Sequence, residues 1–298
     1  MSDTVQSAGW RLKLAGAALA ISIFAVLWFA AAALGSKYGL WGWQFGLGTM
    51  TIGWGRYVAF LAVGVSVIAV IVALIKSPRV QPFILALAAV LIAFMLLFRL
   101  VAFGATAASL PPIHDIQTDW SDPVRFSEAL LAQRKADDAM NPVEDAPVIP
   151  EAADARWPGM GGRLVSEVQE EADHPRMVDG KEVPPAYRRP IEPLYFDQSP
   201  GEIATYVERI AKARGWKIFT SPDTGDNVQE TMLEATATSG WFGFKDDIAI
   251  RIRAVEGATR VDMRSISRVG LSDLGANARR VSSFMDELAD RADGRPTQ

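Results

Sequence analysis

The densest set of side chains capable of chemistry lies between positions 264 and 280, RSISRVGLSDLGANARR, where a predicted strand gives way to a predicted helix. Arg264, Ser265, Ser267 and Arg268 fall on the strand, and Ser272, Asp273, Asn277 and Arg280 fall around the helix start. Guanidinium groups beside the free N–H groups of a helix start are the parts of an anion site, suited to a phosphate or carboxylate. The same residues can instead form an ion-pair and hydrogen-bond network that locks the helix to the sheet, because an unpartnered buried arginine is costly. Strand alternation puts Arg264 and Arg268 on one face, and helical spacing puts Asp273, Asn277 and Arg280 on one flank, so the two rows are expected to meet. Glu230 and Glu234, on the outward face of a nearby strand, would assist them.

Two further sets are weaker candidates. Asp246 and Asp247 are adjacent on a strand and must point to opposite faces, so they cannot act on each other as acid and base. A salt bridge to Arg264 or Arg251 is the plain reading of either, and hydrolysis through one of them is the alternative. His114, Asp115 and Asp119 form the third set, but a metal site there lacks the helical His-x-x-x-His spacing or a third strong nitrogen or sulfur ligand. The chain has two histidines and no cysteine, which excludes a thiolate site, a thiol nucleophile and a disulfide framework. No nucleophile elbow, P-loop or dinucleotide glycine fingerprint occurs, and no cofactor is expected.

The elements that must position these residues begin at Ile191. A strand over 191–196 is followed by Ser199-Pro200-Gly201-Glu202, a capping box with proline at the first helical position. Ile203, Val207 and Ile210 stripe that helix, and Gly215 stands where a left-handed cap belongs. Strands are predicted over 216–220, 230–238 and 259–268, and Ile248, Ile250 and Ile252 alternate with Arg251 and Arg253 as a strand with one buried and one wet face. Leu274, Ala278, Val281, Met285 and Leu288 stripe the last helix. The order β-α-β-β-β-β-α predicts an α+β, two-layer unit with an antiparallel sheet and both helices on its apolar face.

The 298 residues are 50% hydrophobic, and the apolar ones crowd into the first third. Runs over about 14–34, 58–75 and 82–103 approach or exceed the ~20 residues that a helix needs to cross a bilayer. The first run has the flanks of a secretory signal, but its core is too long for one and more spans follow. Gly35 to Tyr57, rich in glycine and aromatics, reads as an interfacial loop. Arg99, near the end of the third run, is expected to reach back to the headgroups. Arg11, Lys13, Lys76 and Arg79 outnumber Lys37 and Arg56, which orients the N-terminus to the cytoplasm and the C-terminal region outside it. The division expected is a membrane region over 1–104, a connector over 105–190 with an extended or mobile acidic, proline-rich insert and a short helix over 127–138, the α+β domain over 191–290, and a tail over 291–298. A net charge of −4 without a basic block gives no reason to expect nucleic acid.

WFGFKDD at 241–247, DMRSISRVGLSDLGANARR from Asp262 and PPIHDIQTDW at 111–120 together resemble the bacterial and plastid family called domain of unknown function 1499. The resemblance covers most of the chain beyond the apolar runs. It implies a membrane-attached member and supplies no activity or substrate. The resulting expectation is a multi-pass protein of the bacterial inner membrane with a periplasmic binding or scaffolding domain, whose partners are the lipid bilayer and an anionic lipid headgroup or envelope component. The alternatives are an envelope hydrolase using Asp246 or Asp247, and a structural partner of another membrane protein.

Overall fold

The computed structural model describes residues 2–75, 79–178, 180–183 and 190–292. The chain divides into two units: Met1–Ala107 with Ser239–Gly243, and Ala108–Thr238 with Phe244–Gln298.

The first unit is helical. α1 spans Ser2–Lys37, α2 Gly55–Ile75 and α3 Val80–Ser109. Three stretches, Gly9–Lys37, Gln44–Ile75 and Val80–Ser109, are long and apolar enough to cross a membrane. The loop expected over 35–57 is shorter than its composition suggested, because Gln44–Trp54 coils as a π-helix that runs directly into α2. Glycine and aromatic content hid a helix that an apolar medium favours, since backbone groups there must bond within the segment. Alanines line the helix contacts: Ala15, Ala18, Ala69, Ala86 and Ala89 form one buried cluster, and Ala25, Ala62 and Ala93 another. Small side chains let the backbones approach, and the buried Ser22 Oγ donates to Ala89 O at 3.1 Å. Phe24, Leu27, Phe60, Leu91 and Phe98 point away from the bundle. Arg99 is exposed but not near the end of α3 as expected, because the helix and its apolar stretch run on to Ser109.

The second unit is built on an antiparallel sheet in the order β1-β8-β7-β6-β5, with β4 also paired to β8. Its strands are β1 (Asp115–Gln117), β4 (Leu194–Phe196), β5 (Lys217–Thr220), β6 (Glu230–Thr238), β7 (Lys245–Val255) and β8 (Ala258–Ser267). A separate hairpin joins β2 (Arg176–Val178) to β3 (Lys181–Val183). α4 (Glu128–Ala136) and α5 (Val165–Asp173) precede that hairpin, and α6 (Pro200–Ala213) and α7 (Ala276–Ala292) complete the unit. Ser199 and Glu202 make the reciprocal capping box of α6, and Gly215 closes it at φ +69°. α6 and α7 pack on one sheet face, where Ile203, Val207, Ile210, Val281, Phe284 and Leu288 meet Leu233, Ile248, Ile250, Ile252, Val261 and Met263.

The opposite face departs from the expected wet surface. Glu234, Asp247, Asp262 and Arg264 are fully buried there, because the stretch from Asp119 to Val143 lies over them with Val124, Phe126 and Leu130 packed on Ala249 and Ile266. The predicted connector thus contributes β1, α4 and α5 to the same unit. A three-residue strand, Asp-Ile-Gln, is too short to leave a period-2 trace. The first expected strand is also shorter than 191–196, beginning at Leu194. Positions 179, 184 and 185 of the proline-rich insert, 186–189 of the connector, Lys76 of the orientation count and 293–298 of the tail lie outside the described residues.

Candidate functional site

The polar corner divides at the sheet. In β8, Arg264 is paired in register with Ala249, and Ser265 with Ile248, so their side chains leave by opposite faces. Arg264 and Arg268 therefore never meet Asn277 and Arg280, and two separate networks stand where one was expected. A period of two fixes this split, and the row on the helix could follow only one parity of the strand.

On the face covered by the 119–143 stretch, Arg264 makes a two-pronged pair with Asp115, Nε to Oδ1 at 3.0 Å and Nη2 to Oδ2 at 2.6 Å. Its remaining donors reach the carbonyls of Val124 at 3.1 Å and Glu144 at 2.6 Å. Trp120 and Phe126 lie within 5.8 and 6.0 Å of its guanidinium carbon. Such a fork matches a carboxylate geometrically, and with the side chain 0% exposed no donor edge is open to a ligand. Asp247 is shared: Arg134 Nη1 donates at 2.5 Å, Arg268 Nε and Nη2 at 2.8 Å each, and Thr236 Oγ1 at 2.7 Å. Arg268 also pairs with Asp137, which Lys245 Nζ contacts at 2.9 Å. Burial works against the charge on Arg268, but its hydrogen bonds to Asp247 and Asp137 and the attraction of their charges outweigh it and raise its pKa. At Arg134 burial prevails over Asp247 and lowers the pKa.

Farther along the same face, Asp262 accepts from Arg251 and Arg260, and Asp122 bridges Arg251 and Arg253. Asp119 pairs with Arg260 at 2.6 Å. Its burial would raise its pKa, but hydrogen bonds from Ser121 and Arg260 hold it down to about 2. Glu234 accepts from Ser127 N, Ser127 Oγ and Thr220 Oγ1, each at 2.7 Å. Glu230 is exposed and has no part in this network.

On the helix face, Ser265 Oγ donates to Asn277 Oδ1 at 2.7 Å and accepts from Arg280 Nη1 at 2.9 Å. Asn277 Nδ2 reaches Ser267 Oγ and His114 O, each at 2.9 Å. Arg280 Nη2 donates to Asp246 Oδ2 at 2.6 Å. Asp246 and Asp247 do leave on opposite faces, but their partners are Arg280 on one side and Arg134 with Arg268 on the other, rather than Arg264 or Arg251. Ser272 does not cap α7. Its Oγ donates to Pro111 O at 3.2 Å, while Asp273 accepts from Gly275 N and Asn277 N at 2.7 Å each. A carboxylate on these donors occupies the positions an external anion would need. Burial raises the pKa of Asp273.

His114 is half-buried with Nδ1 3.4 Å from Leu271 O. Asp115 and Asp119, its expected co-ligands, are bound to Arg264 and Arg260, and no group of three metal-ligating side chains occurs among the described residues. A concavity of about 180 Å³ between 190–194 and α7, lined by Ile191, Leu194, Val281 and Met285, contains none of the candidate residues.

Sequence reasoning passed over Arg134, Asp137 and Asp122. Arg134 carried a signal: it stands four positions after Leu130 and therefore on the face that α4 buries, where an arginine requires a carboxylate. Asp122 lies in loop sequence with no periodicity to assign it a face, and Asp137 is the C-cap of α4, at the end of the expected short helix, where the helical stripe no longer assigns one.

The arrangement defines a class before it defines an activity: an α+β unit with an open antiparallel sheet, following three membrane-length apolar helices, with Arg264, Arg268, Asp246 and Asp247 neutralised by internal partners. The chain belongs to the family described as Protein of unknown function (DUF1499), whose model matches residues 115–288. No curated protein and no solved structure matches it.

Proposed function

We propose that the protein is a non-catalytic binding or scaffolding module held at a membrane by its three apolar helices. One observation carries this reading: both carboxylates that could have served hydrolysis are buried and bound to arginines, Asp246 to Arg280 and Asp247 to Arg134 and Arg268. A catalytic acid or base needs a free oxygen within reach of substrate in a cleft. Arg264 and Arg268, 0% and 4% exposed, are likewise committed to carboxylates. The corner is then the frame of a stable platform, and an anionic lipid headgroup, envelope component or protein partner meets the exposed surface of that platform.

The Lys and Arg count in the flanks favours a cytoplasmic N-terminus and a periplasmic second unit in a bacterial inner membrane. Reporter fusions at either terminus test that orientation. The central test is to incubate the full chain in nanodiscs with membrane lipid extract and solubilised envelope polymers, beside Asp246→Asn and Asp247→Asn. The proposal expects retained mass in native mass spectrometry and no new product. A product made by the parent protein and lost in either variant supports the hydrolase instead.

A further inference from the structure

We infer that the segment Ser239–Gly243, the loop joining β6 to β7, is a membrane-interface anchor whose Trp241 lies among lipid headgroups. The segment belongs to the first unit, with the apolar helices. Lys37 Nζ donates to Gly240 O at 2.8 Å. A Cβ added at Gly243 would stand 2.9 Å from Lys37 Cα, and Gly243 has φ +72°, so this position requires glycine both for its conformation and for the approach to α1.

The depth of Lys37 follows from length. The apolar stretch Gly9–Lys37 has 29 residues; at about 1.5 Å per residue it is roughly 43 Å long. That exceeds a hydrocarbon core of about 30 Å and matches the ~40–45 Å of a bilayer with its headgroup layers. Lys37 at its end is therefore at headgroup level, and Trp241, one residue from the carbonyl that Lys37 holds, is near it. Trp241 is 66% exposed, and the neighbours of Lys37 in sequence, Tyr38 and Leu40, are 72% and 74% exposed. An exposed indole beside a lysine and a tyrosine at that depth has the chemistry of the interfacial belt, with an apolar ring toward the chains and an N–H toward water. The occupant of this surface is the headgroup region of the bilayer itself.

The chain contains no cysteine, so Trp241→Cys and, as a depth reference, Tyr38→Cys each give a single nitroxide-labelling site in the full protein. In vesicles of mixed zwitterionic and anionic lipid, collision with oxygen and with a water-soluble nickel chelate reports depth. The expected result is a label at 241 within the headgroup layer, at the same depth as the label at 38 and with chelate access well below that of a free label in water. Full chelate access at 241 overturns the inference. So does a label shielded from both reagents, which would mean that a protein surface covers Trp241.

Discussion

Asp247 Oδ2 accepts a hydrogen bond from Arg134 Nη1 at 2.5 Å across 113 positions of chain, with both side chains buried. The pair fastens α4, from the stretch preceding the first long strands, to the middle of the sheet. Removing one member leaves the other charged and desolvated, a loss of about 3–5 kcal/mol. Asp247→Ala also removes the acceptor of Arg268 Nε and Nη2, leaving Asp137 as the only carboxylate paired with that arginine among the described residues. In a unit of this size that corresponds to a fall in Tm of roughly 6–20 °C, read by thermal unfolding of the full chain in detergent. A fall below about 2 °C would show that the buried arginines are neutralised by something else.

Glu234 draws the cap of α4 onto the sheet, because the backbone N–H and hydroxyl of Ser127 both donate to it while Ser127 Oγ accepts from Leu130 N. Glu234→Gln keeps the shape but loses a charged acceptor for three donors, a cost of about 1.5–3 kcal/mol. The loss should appear first as faster hydrogen exchange across 128–136, since that helix depends on the contact more than the sheet does. Unchanged protection of α4, with loosening elsewhere, would refute the assignment.

Where the sequence was legible, local rules coincided with the fold. The capping box at Ser199, the stripe of α6 and the isoleucines of β7 each specify an element without outside information, and all are present. The second face of the sheet was not legible. Alternating charge in β7 reads as a wet face only when nothing covers it, and the covering stretch carries its apolar residues, Val124, Phe126 and Leu130, too sparsely to announce a layer. The candidate site failed at the same point. Arg264, Arg268 and Arg280 were visible, but Arg134 was passed over, and the partners Asp137, at the end of α4, and Asp122, in a loop, are brought near only by the fold.

α4 ends at a strained residue. Asp138 adopts φ +53°, is exposed, and follows the helix C-terminus, where a carboxylate also opposes the helix dipole. Asp138→Gly should stabilise the unit by about 0.5–1 kcal/mol, since glycine enters the left-handed region without steric cost. The corresponding rise in Tm is about 1–4 °C. A lower Tm would mean that the Asp138 side chain contributes more than its backbone costs.

Asp173 supplies a pH dependence with a definite sign. Its burial raises its pKa to about 6 against the hydrogen bond from Ile191 N at 3.3 Å and the weaker influences of His174 and Gln169, and its Oδ1 finds no partner among the described residues. A raised folded-state pKa means that the native state holds the proton more tightly than the unfolded chain, whose aspartates titrate near 3.9. The resulting stabilisation is fully present below about pH 4 and is lost as the pH rises through about 6. Asp173→Asn keeps an oxygen for Ile191 N–H and never ionises, so it should exceed the parent in stability by on the order of 1–2 kcal/mol at pH 7–8 after allowance for solvent screening. The advantage should shrink through pH 6 and vanish near pH 4. Unfolding midpoints of the two proteins across that range decide the matter: a constant offset would make the effect one of packing, with no titration of Asp173 behind it.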